Sequence, residues 1–188
     1  MHRRVLLSAA AGCLVAGHSR AKPGMPPKID LGIVNIPQQT PVWCWAAVAE
    51  QIITWRRGGS PPQCVLVAAA FGAAAQRCCG LPQSCMTTGG LQQIQALLAQ
   101  FGGGASQITP PADPMALYRT LADQRPVILA VRATPYGGHV VVLRGMAWVP
   151  MPGGPEPVLY INDPLAHFAR PVPFAQLRPY WQAAIVGA

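Results

Sequence analysis

Gln38-Gln39-Thr40-Pro41-Val42-Trp43-Cys44-Trp45-Ala46-Ala47 is the stretch on which the reading of this 188-residue chain depends. It has the make-up of a buried helix with a cysteine in its first turn. Thr40 suits the N-cap, because its hydroxyl can accept from backbone N–H groups that have no partner inside the helix. Pro41 then falls at the first helical position, where a missing N–H costs nothing. The spacing predicts a helix over about 41–57, continued by Val48, Ile52 and Trp55. Arg56-Arg57 supply positive charge for its last turn, and Gly58-Gly59 stop it. Cys44 therefore lies where free N–H groups and the helix dipole favour an anion. A thiolate formed there is a nucleophile, and Trp43 and Trp45 on either side can exclude water. The competing reading of Cys44 alone is a half-cystine or a small buried hydrophobe.

Composition sets the frame. Hydrophobic residues make up 51% of the chain and charged ones 11%, enough for one domain with a real core and too little length for two. The 21 prolines and 19 glycines imply many loops. With so many apolar residues beside them, they do not imply disorder. No apolar run reaches the roughly 18 residues of a membrane span. His2-Arg3-Arg4 is a basic start, Val5 to Gly17 is apolar and small, and Ser19-Arg20-Ala21 offers a cleavage site. Residues 1–21 thus read as an export signal, with Arg3-Arg4-Val5-Leu6-Leu7 similar to a twin-arginine type, and 22–188 as a single domain. Cys13 follows Ala10-Ala11-Gly12, a weak setting for lipidation. Cleavage after Ala21 removes three of the 14 basic residues and leaves 11 against six acids, a net charge of +5. No basic stripe with interleaved aromatics is present, which argues against nucleic acid. The expected location is secreted or periplasmic.

Export also allows cysteines to pair. Setting Cys13 aside leaves Cys44, Cys64, Cys78, Cys79 and Cys85, an odd number. Four lie close together in sequence, and Cys44 is the remainder, a free thiol by this arithmetic. A Cys78–Cys79 bond would be strained. The expectation is that one of the two joins Cys64 and the other Cys85, with the choice open. A zinc site is the rival, but the cluster lacks the usual C-x-x-C pairs and has no neighbouring histidine.

Along the rest of the chain, residues 22 to about 37 read as an extended arm leading to the Cys44 helix. Gln63–Gln76 reads as a second helix, 78–85 as a loop, Leu91–Phe101 as an amphipathic helix ended by Gly102, and Asp113-Pro114 as the cap of another that stops before Pro126. Then the pattern changes. Val127–Val131, His139–Trp148 and Val158–Asn162 read as strands, and 171–173 and 183–186 as edge strands. Helices followed by an antiparallel sheet make the fold class α+β.

A cysteine nucleophile needs a base, and the base an orienting group. Beyond residue 21 there are two histidines. His139 opens a strand after Gly137-Gly138, at a place suited to facing a cleft, whereas His167 follows a turn. Asn162-Asp163 ends the neighbouring strand. Asp163 can fix the imidazole's tautomer and stabilise its cation, while Asn162, the alternative third member, can only orient it. Gln38, six residues before Cys44, can offer its amide to a developing oxyanion together with the Cys44 N–H, and Gln39 is the alternative.

Gln38-x5-Cys44-Trp45-Ala46-Ala47, then Gly138-His139-Val140-Val141-Val142, then Asn162-Asp163-Pro164 resemble papain-like cysteine peptidases. Within them the likeness is to the bacterial branch of AvrRpt2-like effector proteases, staphopains and double-glycine (C39-like) leader peptidases. It covers about 36–170. It implies a papain-like fold, N-terminal helices on a C-terminal antiparallel sheet, with Cys44 as nucleophile, His139 as base and acid, Asp163 as third member and Gln38 at the oxyanion hole. Papain itself has Trp after its orienting Asn, whereas here Asp163-Pro164 follows Asn162. The expected activity is hydrolysis of peptide bonds in a protein or peptide substrate through an acyl-enzyme, without metal or cofactor. An immunity or inhibitor protein is a conceivable partner. The same residues could serve an amidase or acyltransferase acting on cell-wall peptide, and an inactive binding module is the remaining rival.

Overall fold

A computed structural model describes residues 25–132 and 138–187. The export segment with Cys13 lies outside the described residues, and so does Tyr136, which the sequence offers with Trp43 and Trp45 as a residue lining the cleft. The Pro-rich arm comes first and contributes a short strand, β1 (Ile29–Asp30). It is followed by α1 (Cys44–Arg57), whose start differs from expectation. Thr40 does not cap it. Residues 40–43 form a turn in which the Trp43 N–H donates to the Thr40 carbonyl at 3.3 Å. Pro41 presets that turn instead of the helix. The buried Thr40 hydroxyl has no partner among the described residues. Cys44 thereby becomes the first residue of the helix. At the other end Gly58 takes φ 77° and returns its N–H to Thr54.

The expected helix over 63–76 is two. α2 (Gln63–Phe71) ends where Gly72 turns left-handed, and α3 (Ala75–Gly80) begins after it. The expected 78–85 loop contains the rest of α3 and a 3-10 turn over Pro82–Cys85. α4 (Leu91–Phe101) buries Ile94, Leu97 and Leu98. Each such side chain is worth about 2 kcal/mol of burial. β2 (Ser106–Thr109) follows, then α5 (Pro114–Ala122). Asp113 caps α5 by accepting from the Met115 and Ala116 N–H groups at 2.8 and 2.9 Å.

The remaining strands are β3 (Val127–Arg132), β4 (Gly138–Val149), β5 (Glu156–Asn162), β6 (Val172–Pro173) and β7 (Trp181–Gly187), with the short α6 (Phe174–Leu177) before the last. All pairings are antiparallel, and the order across the sheet is β2-β7-β3-β4-β5-β6. β7 is therefore not the edge strand expected over 183–186; β2 covers its outer side. β4 is long enough for three neighbours, β3 and β1 along its two halves on one side and β5 on the other. The arm can cross β4 because residue 145 is glycine: a Cβ there would press on the Ile29 carbonyl and Asp30.

α1 packs against α2, α4 and β4. Its Trp45, Ala46, Ala47, Val48, Ala49, Ile52 and Ile53 are all buried. It is the centre of one continuous core with the inward faces of β3 and β4. Among the described residues no helix is long and apolar enough to cross a membrane.

Candidate active site

The packing of α1 on β4 brings Cys44, first residue of the helix, to His139, second residue of the strand. Both line one cleft of about 390 Å³, with Gly89, Gly90, Gly138 and Gln182 among its other walls. Cys44 is half-buried and carries no disulfide. His139 is 4% exposed and Asp163 2%. The His139 Nε2 and Asp163 Oδ1 lie 2.6 Å apart. With Nε2 directed to the carboxylate, the imidazole's other nitrogen is left for its hydrogen bond with Cys44. Burial pushes the imidazolium toward losing its proton. The hydrogen bonds to Asp163 and Cys44 and the charges of both outweigh it and raise the His139 pKa to about 9.

Asp163 is a hub. Oδ1 also accepts from the Leu165 N–H at 2.9 Å, and Oδ2 from the N–H groups of His167 at 2.7 Å and Phe168 at 3.2 Å. Burial raises its carboxyl pKa, but the bond to His139, the backbone donors and the imidazolium charge hold it below the ordinary carboxylate range. His139, Asp163 and His167 bring three possible metal-ligand atoms within 4.8 Å of one another. The carboxylate's roughly four acceptor sites are met by four N–H donors, so this trio is built for hydrogen bonding, not for a cation.

The other candidates fall as follows. Asn162 ends β5 beside Asp163, but its amide donates to the Ile33 carbonyl at 2.7 Å, away from His139. Gln38 gives one amide N–H to the Thr40 carbonyl at 2.6 Å, and its buried Oε1 has no partner among the described residues. It is not among the residues lining the cleft. Gln39 offers its backbone N–H to Gln63. Trp43 and Trp45 are wholly buried and do not line the cleft. Their indole N–H groups donate to the carbonyls of Cys85 and Thr87 at 3.0 and 3.1 Å. They thus tie the start of α1 to the cystine-bearing segment. Gly89 lies against the Trp45 indole so closely that a Cβ would collide with it.

The disulfides are Cys64–Cys79 and Cys78–Cys85, one of the two arrangements left open by the sequence. All four sulfurs are bonded to sulfur, which leaves none as a thiolate for zinc.

A set of amides, of which Gln51 and Gln63 are buried, escaped the sequence reading. Gln51, on the buried face of α1, donates to Asn35 at 3.2 Å and to the Ile36 carbonyl at 3.1 Å. Asn35 donates to the Asp163 carbonyl at 3.1 Å, and Gln63 to Pro37 and Glu50, both at 2.9 Å. The arm is therefore laced to both α1 and the end of β5, and Asp163 is fixed relative to the helix that carries Cys44. The only signal in sequence is a polar residue, Gln51, next to Ile52 on the apolar face.

No curated protein sequence matches the chain. Among solved structures, a chain described as a C39-like peptidase from Bacillus anthracis is similar in fold, with a TM-score of 0.58 at 14% identity, over 87% of this chain and 98% of that one. Residues 29–180 match the family model of the papain-like cysteine protease AvrRpt2, so the chain belongs to that family of cysteine peptidases.

Proposed function

We propose that the protein is an exported peptidase in which Cys44, His139 and Asp163 carry out the reaction. What supports this most is one arrangement: His139 held in the core between an unpaired thiol and a carboxylate, opening on a cleft. With the shared proton resting on the His139 imidazole, the Cys44 sulfur attacks the amide carbonyl. The start of α1, with its orphan N–H groups, favours the negative oxygen that develops, and the second amide N–H of Gln38 is the further donor proposed. His139 passes the proton to the leaving amine. It then takes one from water, whose oxygen attacks the acyl-sulfur carbon and releases the acid. Asp163 keeps the imidazole oriented and stabilises its cation throughout. Two disulfides support an oxidising location, periplasmic or extracellular, and the basic apolar start of the chain fits export there.

The test is hydrolysis of an unfolded protein substrate by the wild type and by Cys44→Ala. The proposal expects the variant to show no cleavage above background. A variant that cuts as well as the wild type would end it. Mass spectrometry of products from protein and from cell-wall peptide distinguishes a peptidase from an amidase on the same residues.

A further inference from the structure

His139 lines two cavities, and they differ in a way that assigns the two halves of a substrate. The cleft of about 390 Å³ contains both Cys44 and His139. A second cavity, about 250 Å³, has His139 but not Cys44, and its walls include Arg132, His167, Phe168 and Tyr180. A third, about 430 Å³, shares His167, Phe168 and Tyr180 with the second and adds Arg170 and Gln176. The acyl half of a substrate ends on the sulfur, so it occupies the cleft that holds Cys44. The leaving half departs from the nitrogen that His139 protonates, so we assign it to the cavity that has His139 without Cys44, and to the third that shares its walls. This deduction rests on the reading of Cys44 and His139 as the reacting pair.

The chemistry of that path is one-sided. Arg132 and Arg170 are exposed on it, and the His167 side chain is 60% exposed. Among the described residues no carboxylate lines any of the three cavities. The nearby Asp163 is buried, and its oxygens are taken by His139 and three backbone N–H groups. Tyr180, 55% exposed, offers a ring on which a side chain can lie. We propose that this groove binds the leaving half of the substrate and selects acidic side chains after the cleaved bond. Arg132 and Arg170 are the specificity-determining residues.

The experiment digests a proteome-derived peptide library with the full protein, with Cys44→Ala as the blank, and reads both sides of every cut by mass spectrometry. Exposed charge pairs are individually weak, so two arginines are expected to favour Asp and Glu over Lys by about three- to tenfold after the bond. The Arg132→Glu/Arg170→Glu variant should reverse the preference toward Lys. Arg132→Gln/Arg170→Gln, the milder change, should abolish it, as should raising the salt to about 1 M, where the screening length is about 3 Å. Absence of acidic enrichment in wild-type cuts, or enrichment that survives both variants, overturns the inference while leaving the peptidase reading intact. If the wild type cuts nothing beyond the blank, the peptidase reading falls and this one falls with it.

Discussion

Replacing Asp163 by Asn changes one atom and should damage stability and catalysis together. The carboxylate accepts from four donors, His139 and Leu165 on Oδ1 and His167 and Phe168 on Oδ2. An Asn has one oxygen, so either orientation turns an NH₂ group toward two donors. If the oxygen stays with His139, the His167 and Phe168 N–H groups lose charged acceptors, at about 1.5–3 kcal/mol each. If the NH₂ group faces His139, Nε2 must accept and the proton moves to the nitrogen needed by Cys44. The corresponding tautomer error costs about 10⁴-fold in turnover where such triads have been dissected. A second readout follows from the His139 pKa. Held at about 9, above its ordinary 6.5, it contributes stability that is complete below pH 6.5, declines as pH rises toward 9 and is gone above it. The gap corresponds to roughly 3 kcal/mol. Urea unfolding of wild type at pH 6 and pH 10 should show this loss, and Asp163→Asn should be less stable at pH 6 with a flatter pH dependence. A variant within about 1 kcal/mol of wild type at pH 6, with kcat/KM within a few-fold, would refute the hub.

Other expected outcomes test the surroundings of the site. Reduction of the two disulfides should lower stability by about 3 kcal/mol for the longer loop. It should also lower activity, because the segment that accepts from Trp43 and Trp45 loosens, and reoxidation should restore both. Gly89→Ala should displace Trp45 and cost about 1–3 kcal/mol in thermal or urea unfolding, with a larger fractional loss in kcat/KM than any exposed glycine replaced the same way. Gln51→Leu should cost about 1–3 kcal/mol, since Asn35 and Ile36 lose a buried donor, and the loss of arm docking should raise limited proteolysis at residues 31–39.

The elements that could be read from sequence were those whose signals are local. Asp113-Pro114 caps a helix where a cap and a first-turn proline predict it, and β3, β4 and β5 are continuous apolar runs long enough to be read as strands. Gly102 and Gly58 stop their helices for the same backbone reason. What sequence concealed depends on distant partners. β2 is four residues with only partly buried ends, and it exists because β7 needs a neighbour. β7's own interior place could not be read from its position near the end of the chain. The start of α1 shifted because Thr40-Pro41 fits a turn as readily as a cap. That Cys44, His139 and Asp163 would be brought together could be anticipated because, beyond residue 21, the chain has one cysteine outside the 64–85 cluster and two histidines. The amides of Asn35, Gln51 and Gln63 that hold them in place were not, because a Gln shows its value only when its carbonyl partner from another element is known.

The most direct measurement is alkylation of the folded, disulfide-intact protein, freed of residues 1–21, with iodoacetamide at pH 7, followed by peptide mapping and a residual activity assay. The account predicts that Cys44 alone takes the label, that hydrolysis is lost in proportion to labelling, and that His139→Ala slows the labelling manyfold. Label on Cys64, Cys78, Cys79 or Cys85, full activity after complete labelling of Cys44, or a His139→Ala variant that reacts as fast as wild type would contradict it.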